Sequence, residues 1–279
     1  MGCMDKSFCP TLFIPNLIDW GIEDPKGKSV EQVREIRDNI EQSKATCYRS
    51  IRITDRLSSN QKKSIAEIIG TFIVVLLATG SVVLDAKTNG VLGIPFIAFA
   101  PFVGVAIGVY LFGKISTAHF NPAGTVGFLI TKHITKIQLL YYLTAEIIGA
   151  LLASLFVKYL IGTEAYLGAN APNYAFPLPL IFGIEILASA LLMVVIFAVV
   201  YTKGLRGFSG IVIGGIVGLD IFFLAFISGA SMNPARSLAP AVLSGVMTNL
   251  WLYWTATFIG TSTVALLFRK KLIRYQNQK

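Results

Sequence analysis

Two copies of Asn-Pro-Ala, at 121–123 and 233–235, stand in an otherwise apolar chain. Each has the makings of a helix start. Proline suits the first helical position, where it has no N–H to lose. Asparagine before it is a favoured N-cap, and its amide keeps donors to spare. Two such starts set tip to tip each aim about half a positive charge at one point. That point welcomes the lone pair of a neutral solute and repels a cation. Asn121 and Asn233 are therefore candidate donors, framed by Pro122, Ala123, Pro234 and Ala235. Arg236, directly after the second copy, adds a fixed positive charge.

The elements that position them follow from composition. Of 279 residues, 54% are hydrophobic and 14% charged, with a mean hydropathy of +0.67. A soluble domain carries about 25% charge, so a soluble enzyme is excluded. Low Cys and Gly content excludes disulfide-rich and collagen-like chains. Six stretches approach the ~20 residues that cross a bilayer. They run from 64–84, 94–112, 137–161, 178–202, 208–227 and 250–268. The apolar pieces after Asn121 and Asn233 are too short to cross and read as re-entrant. The fold expected is an all-α membrane protein of six transmembrane helices and two re-entrant half-helices.

Residues 1–63 hold eleven of the 24 Lys and Arg and nine of the 15 Asp and Glu. They read as a cytoplasmic N-terminal tail, 64–268 as the channel domain and 269–279 as a C-terminal tail. Arg49, Arg52, Lys62, Lys63, Lys132, Lys136, Lys203 and Arg269–Lys271 put both termini and the even-numbered connections in the cytoplasm. The net charge of +9 is thus topological rather than a mark of nucleic-acid binding. In the tail, Ser29 and Gln32 resemble a capping box. Val30, Val33, Ile36 and Ile40 then predict a short amphipathic helix over 30–44. Cys3, Cys9 and Cys47 fit no zinc spacing and read as free thiols, and Gly2-Cys3 departs from the lipidation pattern at Lys6.

The two halves repeat each other. Ala66-Glu67-Ile68-Ile69-Gly70 matches Ile184-Glu185-Ile186-Leu187-Ala188, and Ile115–Ala123 matches Ile227–Ala235. Three spans per half is odd, so the repeat is inverted and its site lies at the midplane.

On these residues the chain resembles the aquaporin, or major intrinsic protein, family over about Ser64–Phe268. The likeness rests on Glu67 in its Ala-Glu-Ile-Ile-Gly-Thr-Phe, on His119–Ala123, on Gly229–Ser237 and on Tyr253-Trp254. It is closest in type to prokaryotic or archaeal members. The resemblance implies a homotetramer in the plasma membrane with one pore per subunit. It implies Asn121 and Asn233 as central donors and Arg236 as the filter arginine. Glu67 and Glu185 are implied as buried supports of the re-entrant loops. His119 is implied as a pore-lining residue, with a packed neutral histidine as the alternative. Counting from the motifs, Pro101, Ile221 and Ala230 complete the filter. Ile221 replaces a histidine of strict water channels, which loosens selectivity, while Ser237 and Ala241 look like the water branch. Gly124 stands for a usual Val and Glu146 for a usual Gln. Asp220 is placed either at a subunit interface or near the pore.

The function expected is a passive channel for water and other small neutral solutes that excludes protons and ions. A glycerol- or ammonia-type facilitator is the near alternative. An ion-coupled transporter using Glu67, Glu146, Glu185 and Asp220 is the distant one. No nucleophile–base pair, metal cluster or phosphate loop marks an enzyme, and no cofactor is called for.

Overall fold

The computed structural model describes residues 25–277, without the side chains of 43–58, 203, 206 and 272–277. The expectations for Cys3, Cys9, Gly2 and the side chain of Cys47 lie outside the described residues. The chain forms two units, residues 1–59 and 60–279.

In the first unit a turn closes from Lys28 N–H to the Pro25 carbonyl at 3.2 Å. Ser29 and Gln32 then form the reciprocal cap. Ser29 N–H donates to Gln32 Oε1 at 3.0 Å, and Gln32 N–H donates to Ser29 Oγ at 3.3 Å. Helix α1 starts there, but it does not stop near 44. It is helical from Val30 to Lys87. The reason is compositional: between Gly27 and Gly70 the chain has neither Gly nor Pro, so nothing breaks the ladder where the apolar stripe fades. Val30 and Val33 are exposed.

Among the described residues, six helices are long and apolar enough to cross a membrane, with mean hydropathies of 1.3 to 2.7. They are Ser59–Lys87 of α1, α2 (Gly93–Ser116), α4 (Lys136–Phe156, continued by a wider turn to Ile161), α6 (Leu178–Tyr201), α7 (Ser209–Ser228) and Leu250–Lys271 of α9 (Leu250–Asn277). Between them lie α3 (Pro122–Ile130) and α8 (Pro234–Ser244). At about 14 and 17 Å these two are half the length that a ~30 Å hydrocarbon layer requires. A one-turn element, α5 (Glu164–Gly168), has Ala165, Tyr166 and Leu167 in left-handed backbone at φ 46, 52 and 61°.

The halves interlock. α3 packs on α9 and α8 packs on α4, so each short helix leans on the last span of the other half. Small residues allow the spans to close around them. A Cβ added at Gly149 of α4 would meet the Ile68 carbonyl at 2.4 Å, and one at Gly260 of α9 would meet the Ile186 carbonyl at 2.3 Å. These two crossings stand at matching places in the two halves and bring backbone against backbone.

Candidate functional site: a channel between two helix starts

The short helices start as their sequences dictate. Asn121 is extended (φ −155°, ψ 111°), and its Oδ1 accepts from Ala123 N–H at 3.0 Å and Gly124 N–H at 3.4 Å. Asn233 repeats this (φ −142°, ψ 110°) toward Ala235 at 3.0 Å and Arg236 at 3.4 Å. The amide nitrogens then cross between halves. Asn121 Nδ2 donates to the Met232 carbonyl at 2.8 Å, and Asn233 Nδ2 donates to the Phe120 carbonyl at 2.7 Å. Each amide has two hydrogens. One is spent on this clasp, and one remains for the cavity that both asparagines line.

The loops feeding these caps are strained. Thr117, Ala118 and Phe120 have φ of 69, 54 and 51°, and Ala230 and Met232 have 45 and 54°. Such backbone persists only where its surroundings hold it, and here buried carboxylates do. Glu67 accepts His119 N–H at 3.0 Å and Phe120 N–H at 2.7 Å. Glu185 accepts the Ser228 hydroxyl at 2.8 Å, Ser231 N–H at 2.9 Å and Met232 N–H at 3.4 Å. Two tyrosines, Tyr142 unmarked in the sequence and Tyr253 marked only as part of the family likeness, close the preceding helix ends. Tyr142 donates to the Ser116 carbonyl at 2.7 Å and Tyr253 to the Ser228 carbonyl at 2.6 Å.

One cavity of about 90 Å³ runs past both caps. Pro101, Ile221, Ala230 and Arg236 all line it, and His119 and Thr117 line it as well. Most of the remaining wall is aliphatic, including Val105, Leu192 and Ile213. His119 stacks on Phe128 with centroids 4.4 Å apart and meets Tyr142 edge-on at 4.8 Å. The histidine is thus both packed and at the lumen, so the two alternatives are not exclusive. Gly124 lines the cavity too, and a Cβ there would meet nothing closer than 3.8 Å. Asp220 is buried within the chain at 4% exposure, which speaks against a place on the outer face, and it stands next to the cavity-lining Ile221 without being part of the wall itself.

Arg236 is held by Asn170, which the sequence did not flag. Asn170 Oδ1 accepts from Arg236 Nη1 and, at 2.9 Å, from the Ser237 hydroxyl, while Asn170 Nδ2 donates to the Gly229 carbonyl at 2.9 Å. Asn170 follows the left-handed α5, anchored by Leu167 packed against Val83 and Val157. No periodic pattern marks such a loop. His133, in the turn between α3 and α4, contacts Tyr201 and Thr131. Burial pushes its imidazole below the ordinary histidine value.

The Phe120 ring fixes the Asn233 clasp, and two glycines make room for it. A Cβ at Gly70 would lie 1.9 Å from the ring and one at Gly108 2.7 Å from it. Gly108→Ala is therefore expected to lower thermal stability in detergent by about 1–3 kcal/mol, the cost of overpacking. Gly113→Ala in the same helix meets only Val109 at 3.9 Å and is expected to match or exceed the parent. Equal melting of the two variants contradicts this packing.

The major intrinsic protein family model matches residues 55–268. The chain is 34% identical over 219 residues to aquaporin NIP1-1 of Zea mays, covering 78% of this chain and 76% of that one. It is 37% identical over 215 residues to a probable NIP-type aquaporin of Nicotiana alata, covering 74% and 76%. These relatives are plant proteins, where the residues alone pointed to prokaryotic or archaeal members; one filter side chain, Ile221, was too small a sample to fix the branch. The aquaglyceroporin of Plasmodium falciparum, solved by X-ray, shares the fold at a TM-score of 0.65, with 20% identity over 79% of this chain and all of that one. With six spans, two half-helices meeting cap to cap and a family match across both, the chain is a multi-pass membrane channel, not an enzyme, and belongs to the major intrinsic protein family.

Proposed function

We propose that this channel passes water and other small neutral solutes down their gradients while excluding protons and ions. The carrying observation is that the spare amide hydrogens of Asn121 and Asn233 and the starts of α3 and α8 converge on one cavity. A solute oxygen finds two donors there, and a cation finds two positive helix ends and Arg236. The names of the plant relatives, aquaporins, support the reading. Asn121 and Asn233 are the central donors, framed by Pro122, Ala123, Pro234 and Ala235. Pro101, Ile221, Ala230 and Arg236 form the filter, His119 lines the path, and Glu67 and Glu185 hold the loops. Homotetrameric assembly, the plasma membrane as site and cytoplasmic termini complete the proposal.

Three of the four filter side chains are apolar, which favours solutes less polar or larger than water alone. Ile221→His is expected to cut glycerol permeation by about tenfold, the scale of a small steric misfit, and water by less. Stopped-flow light scattering of proteoliposomes measures both, and equal losses rule out the filter assignment. The same vesicles separate channel from coupled transporter. Water and glycerol fluxes are expected to ignore an imposed pH gradient, and uptake against a solute gradient overturns the channel reading.

A further inference from the structure

Glycine weakens a helix, because it loses more conformational freedom on folding than any other residue. A glycine buried inside one therefore has a use, and in this protein the use is otherwise close approach. Among the described residues, every other buried glycine would bring an added Cβ to 3.1 Å or less from a neighbour, as at Gly104 and Gly210. Gly124 is the exception. It is buried in the first turn of α3 with ordinary right-handed backbone. A Cβ there would meet nothing nearer than Asn121 Cβ at 3.8 Å. Neither a tight crossing nor a turn calls for glycine at this position. The space its side chain would fill belongs to the cavity that Gly124 lines.

The inverted repeat identifies the position. Gly124 stands in the first half where Arg236 stands in the second, three residues after the capping asparagine. Counted from the opposite motif in the same way, Pro101 answers to Ile213, Ile221 to Val109 and Ala230 to Ala118. All four counterparts line the cavity, and Val109, Ala118 and Ile213 pack in one cluster with Phe120. Helices α3 and α8 start head to head and run apart, so the two sets lie on opposite sides of the caps.

We propose, on the basis of the channel reading, that Val109, Ala118, Gly124 and Ile213 form a second ring in the path, beyond the caps from the filter. Gly124 is the specificity-determining residue that keeps this ring open to neutral solutes wider than water. The two rings divide the work. The filter holds Arg236 and meets a cation with charge. The second ring has no polar side chain among its four, so it discriminates by width. Glycine there gives up helix stability and gains room beside Asn121.

The full chain is reconstituted in proteoliposomes, and glycerol and water permeation are read by stopped-flow light scattering. The parent is expected to pass both. Gly124→Val is expected to cut glycerol permeation about tenfold, the scale of a small steric misfit, and water by less. Gly124→Ala is expected to move the ratio of glycerol to water flux the same way by a smaller factor. Its melting temperature is expected at or above the parent's, because alanine favours the helix, so the lost flux does not come from unfolding. Gly183→Ala, on an exposed face of α6 with nothing within 4 Å of the added Cβ, is expected to leave the ratio unchanged. Val109→Ala added to Gly124→Val reopens the ring and is expected to restore glycerol flux. A double variant that stays closed contradicts the ring. A parent that passes water but not glycerol overturns the proposal and leaves the channel reading standing, as does an unchanged ratio in both Gly124 variants. A parent no more permeable to either solute than protein-free vesicles defeats the channel reading itself, and the second ring with it.

Discussion

Glu185→Leu is expected to abolish recovery of folded channel. Leucine matches the glutamate in bulk but leaves the Ser228 hydroxyl and the N–H groups of Ser231 and Met232 without their acceptor. Each orphaned buried donor costs about 1–3 kcal/mol, so roughly 3–9 kcal/mol is lost in all. That is comparable with the whole margin of a folded domain, about 5–15 kcal/mol. The loss also falls on backbone already strained at Ala230 and Met232. Glu185→Gln keeps one acceptor oxygen but turns an NH₂ toward one of the donors, so partial yield with a lowered melting temperature is expected. Size-exclusion profiles in detergent and osmotic water flux of whatever reconstitutes are the measurements. A Glu185→Leu protein that elutes and conducts like the parent contradicts the supporting role.

The caps and supports were legible in the sequence because their chemistry is local or repeated. Asn-Pro-Ala carries its own start signal, and the span limits fell within a few residues because a long apolar run has one solution in lipid. Glu67 and Glu185 announced themselves by standing at matching places in a repeat. What stayed hidden depends on contacts distant in sequence. Asn170 reaches Arg236 across 66 positions, by way of three left-handed residues that no propensity favours. Asp220 could not be placed because helical spacing turns it about 100° away from Ile221 but does not say which neighbour covers that face. The end of the first helix was misjudged for the opposite reason. A fading apolar stripe was read as a stop, although a helix continues until glycine, proline or a cap ends it. Glu146 was recognised as a departure, but its hydrogen-bond partners Asn121 and Thr125 sit on another element and emerged only with the fold.

Arg236→Leu is expected to open a leak for protons and small cations while water still passes. A unit charge about 4 Å from the path presents another cation with about 4 kcal/mol at an effective dielectric of 20. At 1.4 kcal/mol per factor of ten, its removal raises cation entry by roughly two to three orders of magnitude. The half-helix starts at Asn121 and Asn233 remain, so the barrier is lowered and not removed. The substitution leaves the loop in place, because Asn170 Oδ1 keeps the Ser237 hydroxyl and Asn170 Nδ2 keeps the Gly229 carbonyl. Asn170→Leu separates charge from placement. It keeps the guanidinium but frees its Nη1, so a smaller leak and an altered ratio of glycerol to water flux are expected. Proton entry is read with a trapped pH dye at clamped potential, beside osmotic shrinkage of the same vesicles. Unchanged proton flux in Arg236→Leu, with water flux intact, assigns cation exclusion to the two helix starts alone and denies the arginine its part in the filter.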